Sequence, residues 1–176
     1  KKNKCSLVIA TTAHDDDEVA LIKEASKDIA IFYSANLSYG IQVVIDTLKH
    51  ITNKLAIYDI EVEEFHHRDK YDAPSGTAIK ILEAINSELL PARNIINGHS
   101  KKRSRNEIGI HALRGGSVVG THRVLFLGDD EVIEIKHEAL SKKVFTSGAI
   151  NAAKYIINQV PGLYGMEILT NGRMKG

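Results

Sequence analysis

The sequence predicts an α/β protein whose chain begins in a parallel sheet and continues into a strand, a helix and a meander of further strands. Two observations support this prediction. As far as His50, short apolar runs alternate with amphipathic helical patterns, which is the order of βαβ units. Beyond Leu55, apolar and polar residues alternate singly, as in strands with one buried face. A chain of 176 residues, 43% of them hydrophobic, is long enough to bury a core of this kind.

The parallel part begins with the apolar run Leu7–Ala10, which we expect to be a strand buried on both faces. The acidic run Asp15–Glu18 then suits the N-terminus of a helix, because the helix dipole favours negative charge there. A second buried strand is predicted at Ile29–Tyr33, and the loop Ser34–Gly40 follows it. A second helix comes next, with apolar residues from Ile41 to Ile51 on one face.

The second part opens with an alternating strand at Tyr58–Glu63, whose acidic residues, Glu61 among them, are expected to face water. A helix begins at Pro74–Thr77, and a polar loop spans roughly Pro91–Arg105. The remaining predicted elements are strands at Ile108–Leu113, Val118–Leu127 and Val132–His137 and a final helix at Phe145–Ile157.

Composition excludes several classes of protein. Lys and Arg total 23 and Asp and Glu total 22, so the chain has no general attraction for nucleic acid or an anionic membrane. The apolar runs, such as Val124–Leu127, are far too short to span a bilayer. The single cysteine, Cys5, excludes an internal disulfide framework and a cysteine-only metal cage. No signal-peptide pattern follows Lys1–Cys5, so we expect a cytoplasmic protein.

The clearest chemistry lies at the end of the alternating strand, where His66, His67, Arg68 and Lys70 place four potential cations within five residues. A helix starts shortly afterwards, with Ser75 as a favourable N-cap residue. Basic side chains so close to a helix N-terminus are typical of a carboxylate or phosphate site. Imidazole can also hold or release a proton near neutral pH.

The first turn of this helix offers further donors to an anion. Gly76 leaves the backbone N–H groups unshielded, and the hydroxyls of Ser75 and Thr77 add donors. A structural interpretation stays open, because a capping residue is usually only a cap and adjacent histidines on a strand point to opposite faces. Spacing alone does not decide between the two interpretations.

The segment Glu64–Ala78 contains the string HHR-x-K-x-DAPSGTA, which closely resembles the signature of the dihydrodipicolinate reductase family. This family, also called the 4-hydroxy-tetrahydrodipicolinate reductases, belongs to lysine and diaminopimelate synthesis. Other segments extend the resemblance from Ser6 to about Leu169; they are Val8–Ala13, Ser34–Ser38 and Arg114–His122.

The sequence departs from the family pattern in a few places. Ala10 and Ala13 stand where the family usually has glycine, and Asp69 stands where a further histidine or another polar residue is common. The glycine-rich G-x-x-G-x-x-G turn of the family's amino-terminal strand and helix does not occur in the sequence. We therefore expect that the amino-terminal part is missing and that this chain alone is inactive.

The resemblance implies two domains. Residues 1–40 would be the remainder of a Rossmann-type dinucleotide-binding domain, and residues 41–161 a mixed-sheet α+β domain for substrate binding and tetramerisation. Residues 162–176 would form a tail that returns to the first domain. The apolar strands Val118–Leu127 and Val132–His137 agree with burial in a homotetramer.

The resemblance also implies the reaction. A hydride from NADH or NADPH reduces a small, cyclic, unsaturated dicarboxylate, and a proton completes the reduction. His66 matches the family's general acid, and Lys70 matches the lysine that assists protonation. The residues expected to bind substrate are His67, Ser75, Gly76 and Thr77. The residues expected to contact the cofactor are Ala10, Thr11, Thr12, Ser34, Ala35, Asn36 and Leu37.

Alternatives remain for several charged residues. Arg68 either contacts substrate or pairs with Glu64 or Glu63 and orients the loop. His122 and His137 are expected to be core or interface residues.

Two other functional classes have weaker support. Eight histidines suggest a metal hydrolase, but no H-E-x-x-H or H-x-H spacing occurs, so we expect no metal site. The basic run Lys101–Arg105 suggests a nucleic-acid module, but no aromatic residues interleave it. This run is more typical of a solvated loop, and the family resemblance implies a third use, as a loop near a dinucleotide phosphate or a dicarboxylate.

Overall fold

The structure, a computed structural model, describes residues 3–11, 14–99 and 101–171. Within these ranges the strands are β1 (Leu7–Ile9), β2 (Ala30–Tyr33), β3 (Asp59–His66), β4 (Asn94–Asn97), β5 (Glu107–Arg114), β6 (Gly120–Leu127), β7 (Val132–Ala139) and β8 (Gly162–Tyr164). The helices are α1 (Asp16–Ala25), α2 (Tyr39–Ile51), α3 (Gly76–Asn86), α4 (Lys143–Ile156) and α5 (Met166–Asn171), with a 3-10 turn at Thr52–Leu55. Among the described helices, none combines the length and the apolar character that crossing a membrane requires.

The chain divides into two compact units. The first contains the chain as far as Gln42 and again from Lys142 onward, and the second is Val43–Ser141. The return to the first unit comes earlier than the boundary expected at residue 161, because α4 packs against β1 and β2. Residues 172–176 of the expected tail lie outside the described residues.

In the first unit, β2 is the middle strand of a parallel sheet, with β1 on one side and β8 on the other. The parallel arrangement predicted from the first apolar runs is therefore confirmed. Phe32 of β2 is fully buried against a cluster that includes Ala152, Ile156 and Met166. The expectation that the first strand is buried on both faces is wrong. Leu7 is 44% exposed, because β1 lies at the edge of the described sheet.

The acidic run predicted to open α1 does so through a reciprocal capping box. Asp15 Oδ1 accepts the Glu18 N–H at 2.8 Å, and Glu18 Oε2 accepts the Asp15 N–H at 3.1 Å. Two N–H groups that the helix itself cannot satisfy are thus paired, and the remaining acids of the first turn favour the positive end of the helix dipole.

In the second unit, β3 is the centre of a mixed sheet with the strand order β4-β5-β3-β6-β7. It pairs in parallel with β5 and antiparallel with β6, which confirms the predicted mixed sheet. The core joins Ile60 and Val62 of β3 with Ile81 and Ile85 of α3, and these side chains are essentially inaccessible. α3 is the crossover between the parallel strands β3 and β4, so its N-terminus follows the carboxyl end of β3.

Two features of the second unit differ from expectation. β4 lies within the segment expected to be a polar loop, where Asn residues flank two isoleucines and parallel pairing with β5 supplies the strand. Glu61, expected to face water, is only 8% exposed, because side chains from later segments cover its carboxylate.

Gly148 provides a test of the packing of α4. A Cβ at this position would lie 1.7 Å from the Leu37 carbonyl oxygen, so any side chain must shift the helix. We expect Gly148→Ala to lower the free energy of unfolding by about 1–3 kcal/mol through overpacking. Denaturant unfolding measures this change, with the exposed neighbour Ser147→Ala as the control. Equal midpoints for the two variants would contradict the close approach.

Candidate functional site

The motif residues lie in the second unit, between the carboxyl end of β3 and the N-terminus of α3. His66 is the last residue of β3, and its carbonyl accepts the Gly115 N–H at 3.0 Å. The Arg68 N–H donates to the Gly116 carbonyl at 3.3 Å. Gly116 has a φ of +53°, which glycine adopts without strain. These bonds hold the start of the loop between β3 and α3 (residues 67–75, the motif loop) against the connection between β5 and β6.

Ser75 is the N-cap of α3, as the sequence suggested. Its Oγ accepts the Ala78 N–H at 3.2 Å from an extended backbone with φ −67° and ψ 153°. The first turn of α3 contains no acidic residue that would offset the positive end of the helix dipole. At Gly76, no heavy atom lies within 4 Å of the position that a Cβ would take. An anion can therefore approach this end of the helix, where the Asp72 carboxylate of the preceding loop already accepts the Gly76 N–H at 3.4 Å.

A buried carboxylate, Glu64, joins β3 to both neighbouring elements, and its side chain has no exposed surface. Its Oε2 is hydrogen-bonded to His66 Nδ1 and accepts Arg114 Nη1 at 3.0 Å. Its Oε1 accepts Arg114 Nη2 at 2.7 Å and the Ser75 N–H at 3.0 Å. Burial acts to raise the pKa of Glu64, but the hydrogen bonds from His66 and Arg114 outweigh it and lower that pKa to about 2. Glu64 is therefore ionised at neutral pH.

His122, from β6, is a second histidine beside this carboxylate and is 5% exposed. Its Nε2 lies 3.3 Å from Ser75 Oγ, and its ring packs edge-on against His66 with centroids 5.2 Å apart. Burial, assisted by the charge of His66, lowers the pKa of His122 from 6.5 to about 3. His122 is therefore uncharged at neutral pH and contributes shape and hydrogen bonding.

Lys70 is tied to the start of α3 through Asp72. Lys70 Nζ donates to Asp72 Oδ1 at 2.7 Å, and Asp72 Oδ2 accepts the Gly76 N–H at 3.4 Å. The Asp72 carbonyl also accepts Arg114 Nη2 at 2.7 Å. Burial acts to raise the pKa of Asp72, but the hydrogen bond and charge of Lys70 lower it below its usual range. Asp72 therefore holds the motif loop in place at both ends.

His67 and Thr77 are the remaining residues predicted to bind substrate. His67 directly follows β3 and is half-buried, and Thr77 is the second residue of α3 and is 8% exposed. The structure thus places the predicted catalytic and substrate-binding residues at the end of β3, on the loop that follows it and on the first turn of α3.

The pairing considered for Arg68 is wrong. Glu64 binds Arg114 instead, and Glu63 binds Arg123 at 2.8 Å. Arg123 of β6 lies directly opposite Glu63. Arg114 of β5 lies opposite His66 and is therefore a diagonal neighbour of Glu64. Such cross-strand neighbours are closer to these carboxylates than a side chain along the loop. Arg68 itself is exposed.

The residues expected to contact a cofactor belong to the first unit, at the carboxyl ends of its parallel strands. Ser34 follows β2, and its N–H donates to the Ile9 carbonyl at 3.4 Å, which brings the ends of β1 and β2 together. Ser34 Oγ donates to the Asn36 carbonyl at 2.7 Å, and Asn36 Oδ1 accepts the Ser38 N–H at 2.8 Å. The side chain of Leu37 belongs to the core.

The other residues of this set vary in exposure. Ala10 and Thr11 are exposed after β1, and Ala35 is half-buried in the loop after β2. Thr11 Oγ1 lies 2.8 Å from His14 Nε2. Thr12 lies outside the described residues.

A second buried carboxylate, Glu61, gathers basic side chains on the other face of β3. His99 Nε2 lies 2.9 Å from its Oε1, His111 Nε2 lies 2.7 Å from its Oε2, and Arg103 Nε donates to Oε1 at 2.9 Å. Two histidines and a carboxylate are ligand types that zinc accepts. Arg103 already balances the carboxylate, however, and a cation would add positive charge beside it. We therefore interpret this cluster as an ion-pair network that joins β3 to β5 and the loop after β4.

No role in the site was predicted for Arg114 or His122, although both belong to a segment that resembles the family, and the sequence did not indicate the Glu61 network. Their partners come from separate strands, so no short spacing relates them. Within the basic run, Arg103 differs from the solvated loop that we expected, because it folds onto Glu61 and Asp59, while Lys101, Lys102 and Arg105 are exposed.

His122 makes the second unit sensitive to acid. Its pKa of about 3 lies below the ordinary 6.5, so the unfolded chain binds a proton more readily and stability is lost as the pH falls from 6.5 towards 3. We expect His122→Gln to reduce the slope of unfolding free energy against pH by up to about 1.4 kcal/mol per pH unit over this range. Urea unfolding at several pH values measures the slope, with the exposed His50→Gln as the control. A slope unchanged by His122→Gln would contradict the burial of a neutral imidazole.

Comparison with known proteins gives the same family that the Glu64–Ala78 motif resembles. The family model described as "Dihydrodipicolinate reductase, C-terminus" matches residues 40–169. The 4-hydroxy-tetrahydrodipicolinate reductase of Caldanaerobacter subterraneus subsp. tengcongensis is 50% identical over 171 residues, which are 96% of this chain and 68% of that protein. The enzyme of the same name from Clostridium tetani is 46% identical over 173 residues, which are 97% of this chain and 68% of that protein.

A solved structure shares the fold. It is the dipicolinate-bound dihydrodipicolinate reductase from Paenisporosarcina sp. TG-14, with a TM-score of 0.63 and 24% sequence identity. The match covers 94% of this chain and 65% of that chain. This chain thus spans about two thirds of the length of the proteins that it matches. The family model covers well over half of the chain, and with these relatives it shows that the chain belongs to the dihydrodipicolinate reductase family.

Proposed function

We propose that this chain forms the substrate-binding and proton-donating part of an enzyme that reduces 4-hydroxy-tetrahydrodipicolinate to tetrahydrodipicolinate. The enzyme would use NADH or NADPH and act in the cytoplasm, in diaminopimelate and lysine synthesis. One observation carries the proposal. In the second unit, a histidine bonded to a buried carboxylate, an ammonium group and a capped helix N-terminus are joined in one hydrogen-bond network.

Recognition of a dicarboxylate follows from the charges in this network. The Thr77 N–H at the positive end of α3, together with the Gly76 N–H once substrate displaces Asp72 from it, would bind one carboxylate, with Ser75 fixing the turn. Lys70 and His67 would contact the substrate from the loop that precedes this turn. An anionic ring is thus held by backbone dipoles and by an ammonium group.

Proton donation follows from the position of His66. A nicotinamide cofactor supplies a hydride when it is bound, and the reduced substrate then carries negative charge on its conjugated nitrogen system. His66 would donate the proton that completes the reduction, and Lys70 would stabilise the charge as it develops. Because His122 is neutral, it adds no competing charge beside His66.

The parallel sheet of the first unit is of the type that binds dinucleotides. Dinucleotides bind beyond the carboxyl ends of parallel strands, and the loops after β1 and β2 lie there side by side. Ala10, Thr11 and Thr12 after β1, with Ser34–Leu37 after β2, would hold the cofactor. The fixed shape of the Ser34–Ser38 loop supports this role, because preformed loops position ligands at little entropic cost.

A homotetramer is the assembly that we propose. α3 packs on one face of the five-stranded sheet, while the other face carries the partly exposed Phe65 and Leu113. These apolar side chains lie beside Arg123, which pairs with Glu63 and Glu134 across the strands. Open sheet faces of this composition, apolar with balanced charge, are typical of interfaces between identical subunits.

The proposed reaction can be tested by changing Lys70. We expect Lys70→Ala to lower kcat by about 10²-fold or more, because the stabilising charge is lost. The assay follows NADH or NADPH oxidation by the full protein that contains this chain, with substrate generated in situ. Lys80→Ala, an exposed lysine on α3, is the matched control. Turnover by Lys70→Ala at the wild-type rate, or no turnover by the wild type, would contradict the proposal.

The proposed assembly can be tested on the open sheet face. We expect light scattering to give four copies for the full protein, and Leu113→Asp to dissociate them by burying an unpaired charge in the interface. Ile79→Asp is the matched control, because Ile79 is 45% exposed, close to the 48% of Leu113, but lies on the helix side of the sheet. A wild-type monomer, or equal masses for the two variants, would argue against this interface.

A further inference from the structure

Glu64 lies in the middle of the second unit's sheet. On β3 it is opposite Ala112 of β5 and His122 of β6, and its side chain is fully buried. A carboxylate in this position costs several kcal/mol unless its charge is balanced and its oxygens are hydrogen-bonded. Such a residue needs either a structural or a functional reason.

The structural requirement is met by two of its three partners. Arg114 binds both oxygens in a bidentate pair at 3.0 and 2.7 Å, which neutralises the charge. The Ser75 N–H satisfies Oε1 further at 3.0 Å. The third partner, His66, is therefore not needed to balance the charge of Glu64.

For His66, in contrast, Glu64 decides the state of the ring. An ionised carboxylate only accepts hydrogen bonds, so the His66 Nδ1 that contacts it must bear a hydrogen. The second nitrogen, Nε2, has no hydrogen-bond partner among the described residues. A Cβ at position 120 would lie 3.0 Å from Nε2, so this edge of the ring has room only because residue 120 is glycine.

We propose that Glu64 is a positioning residue that holds His66 with hydrogen on Nδ1 and presents Nε2 as the proton-donating atom. This inference rests on the proposed reductase function. Donation from the protonated ring breaks the Nε2–H bond and forms a bond from that hydrogen to the substrate. The bonding pair stays on Nε2, and the neutral ring keeps its hydrogen bond to Glu64. A proton from water then restores the ring.

Glu64→Gln tests this role with little change of shape. With the amide oxygen in the place of Oε1, it still accepts from the Ser75 N–H and Arg114 Nη2. The amide NH₂ in the place of Oε2 faces Nδ1 and forces that nitrogen to accept, while Arg114 Nη1 loses its bond to residue 64 and keeps its bond to the Leu113 carbonyl. The hydrogen of the neutral ring moves to Nε2. We expect kcat to fall between about 10-fold and 10⁴-fold, the range found when carboxylates that orient histidines are altered. KM should change little, because the first turn of α3 is intact.

Two measurements on the full protein separate positioning from a purely structural role. Steady-state kinetics give kcat and KM, and ¹⁵N NMR of histidine-labelled protein shows which nitrogen of His66 bears hydrogen. The matched control is Glu83→Gln, an exposed glutamate on α3, which we expect to match the wild type in both. Gly120→Ala is a second variant that leaves Glu64 in place. It should lower kcat by crowding Nε2 while the hydrogen stays on Nδ1.

The outcomes distinguish the two proposals. Hydrogen on Nε2 in neutral wild-type His66 would overturn the inference, even where Glu64→Gln fails to fold. A folded Glu64→Gln with wild-type kcat would overturn it as well. Absence of reductase activity in the wild type would refute the proposed function, while the NMR measurement would still test the link between Glu64 and His66.

Discussion

Two carboxylates buried on opposite faces of β3 determine how the second unit is held together. Removing an ionised carboxylate from water costs several kcal/mol unless opposite charge and hydrogen bonds replace the water. Glu61 meets this requirement through Arg103 and two histidines, and Glu64 meets it through Arg114, His66 and the Ser75 N–H. The strands and loops that flank β3 are therefore joined to it by charge as well as by backbone hydrogen bonds.

This arrangement explains which parts of the site the sequence could predict. The cap at Ser75 and the loop that leads to it depend on neighbours within a few residues, so their types and spacing indicate the local structure. The residues that bind this loop from elsewhere in the fold are distant in sequence, so local spacing does not indicate them. Arg114 binds Glu64 from 50 residues away, and His122 contacts Ser75 from 47 residues away. Such pairs follow from strand order, which spacing along one sequence does not reveal.

The fold shows the same division. The apolar runs of β1 and β2 and the mixed character of the second sheet follow from hydrophobic periodicity. β4 was missed, because Asn94–Asn97 forms a strand only through its pairing with β5. The sequence predicted that α4 belongs to the second domain. Helical periodicity predicts that one face of a helix is buried, but it does not predict which sheet covers that face. Gly148 shows that α4 packs in the first unit, because only a residue without a side chain permits the close approach of α4 to Leu37.

In the proposed reaction, the charges around His66 would also connect proton donation with binding of an anionic substrate. Burial keeps His122 neutral, and Lys70 and Asp72 balance each other, so the remaining charged members of this network are Glu64, Arg114 and, when it is protonated, His66. With the proton in place, two positive groups face one carboxylate, and the network has an excess of one positive charge. After the proton leaves, Arg114 and Glu64 balance each other. In the proposed reaction, the network would therefore attract a dicarboxylate more strongly before proton transfer than after it, and the step that completes the reduction would weaken the electrostatic attraction for the product.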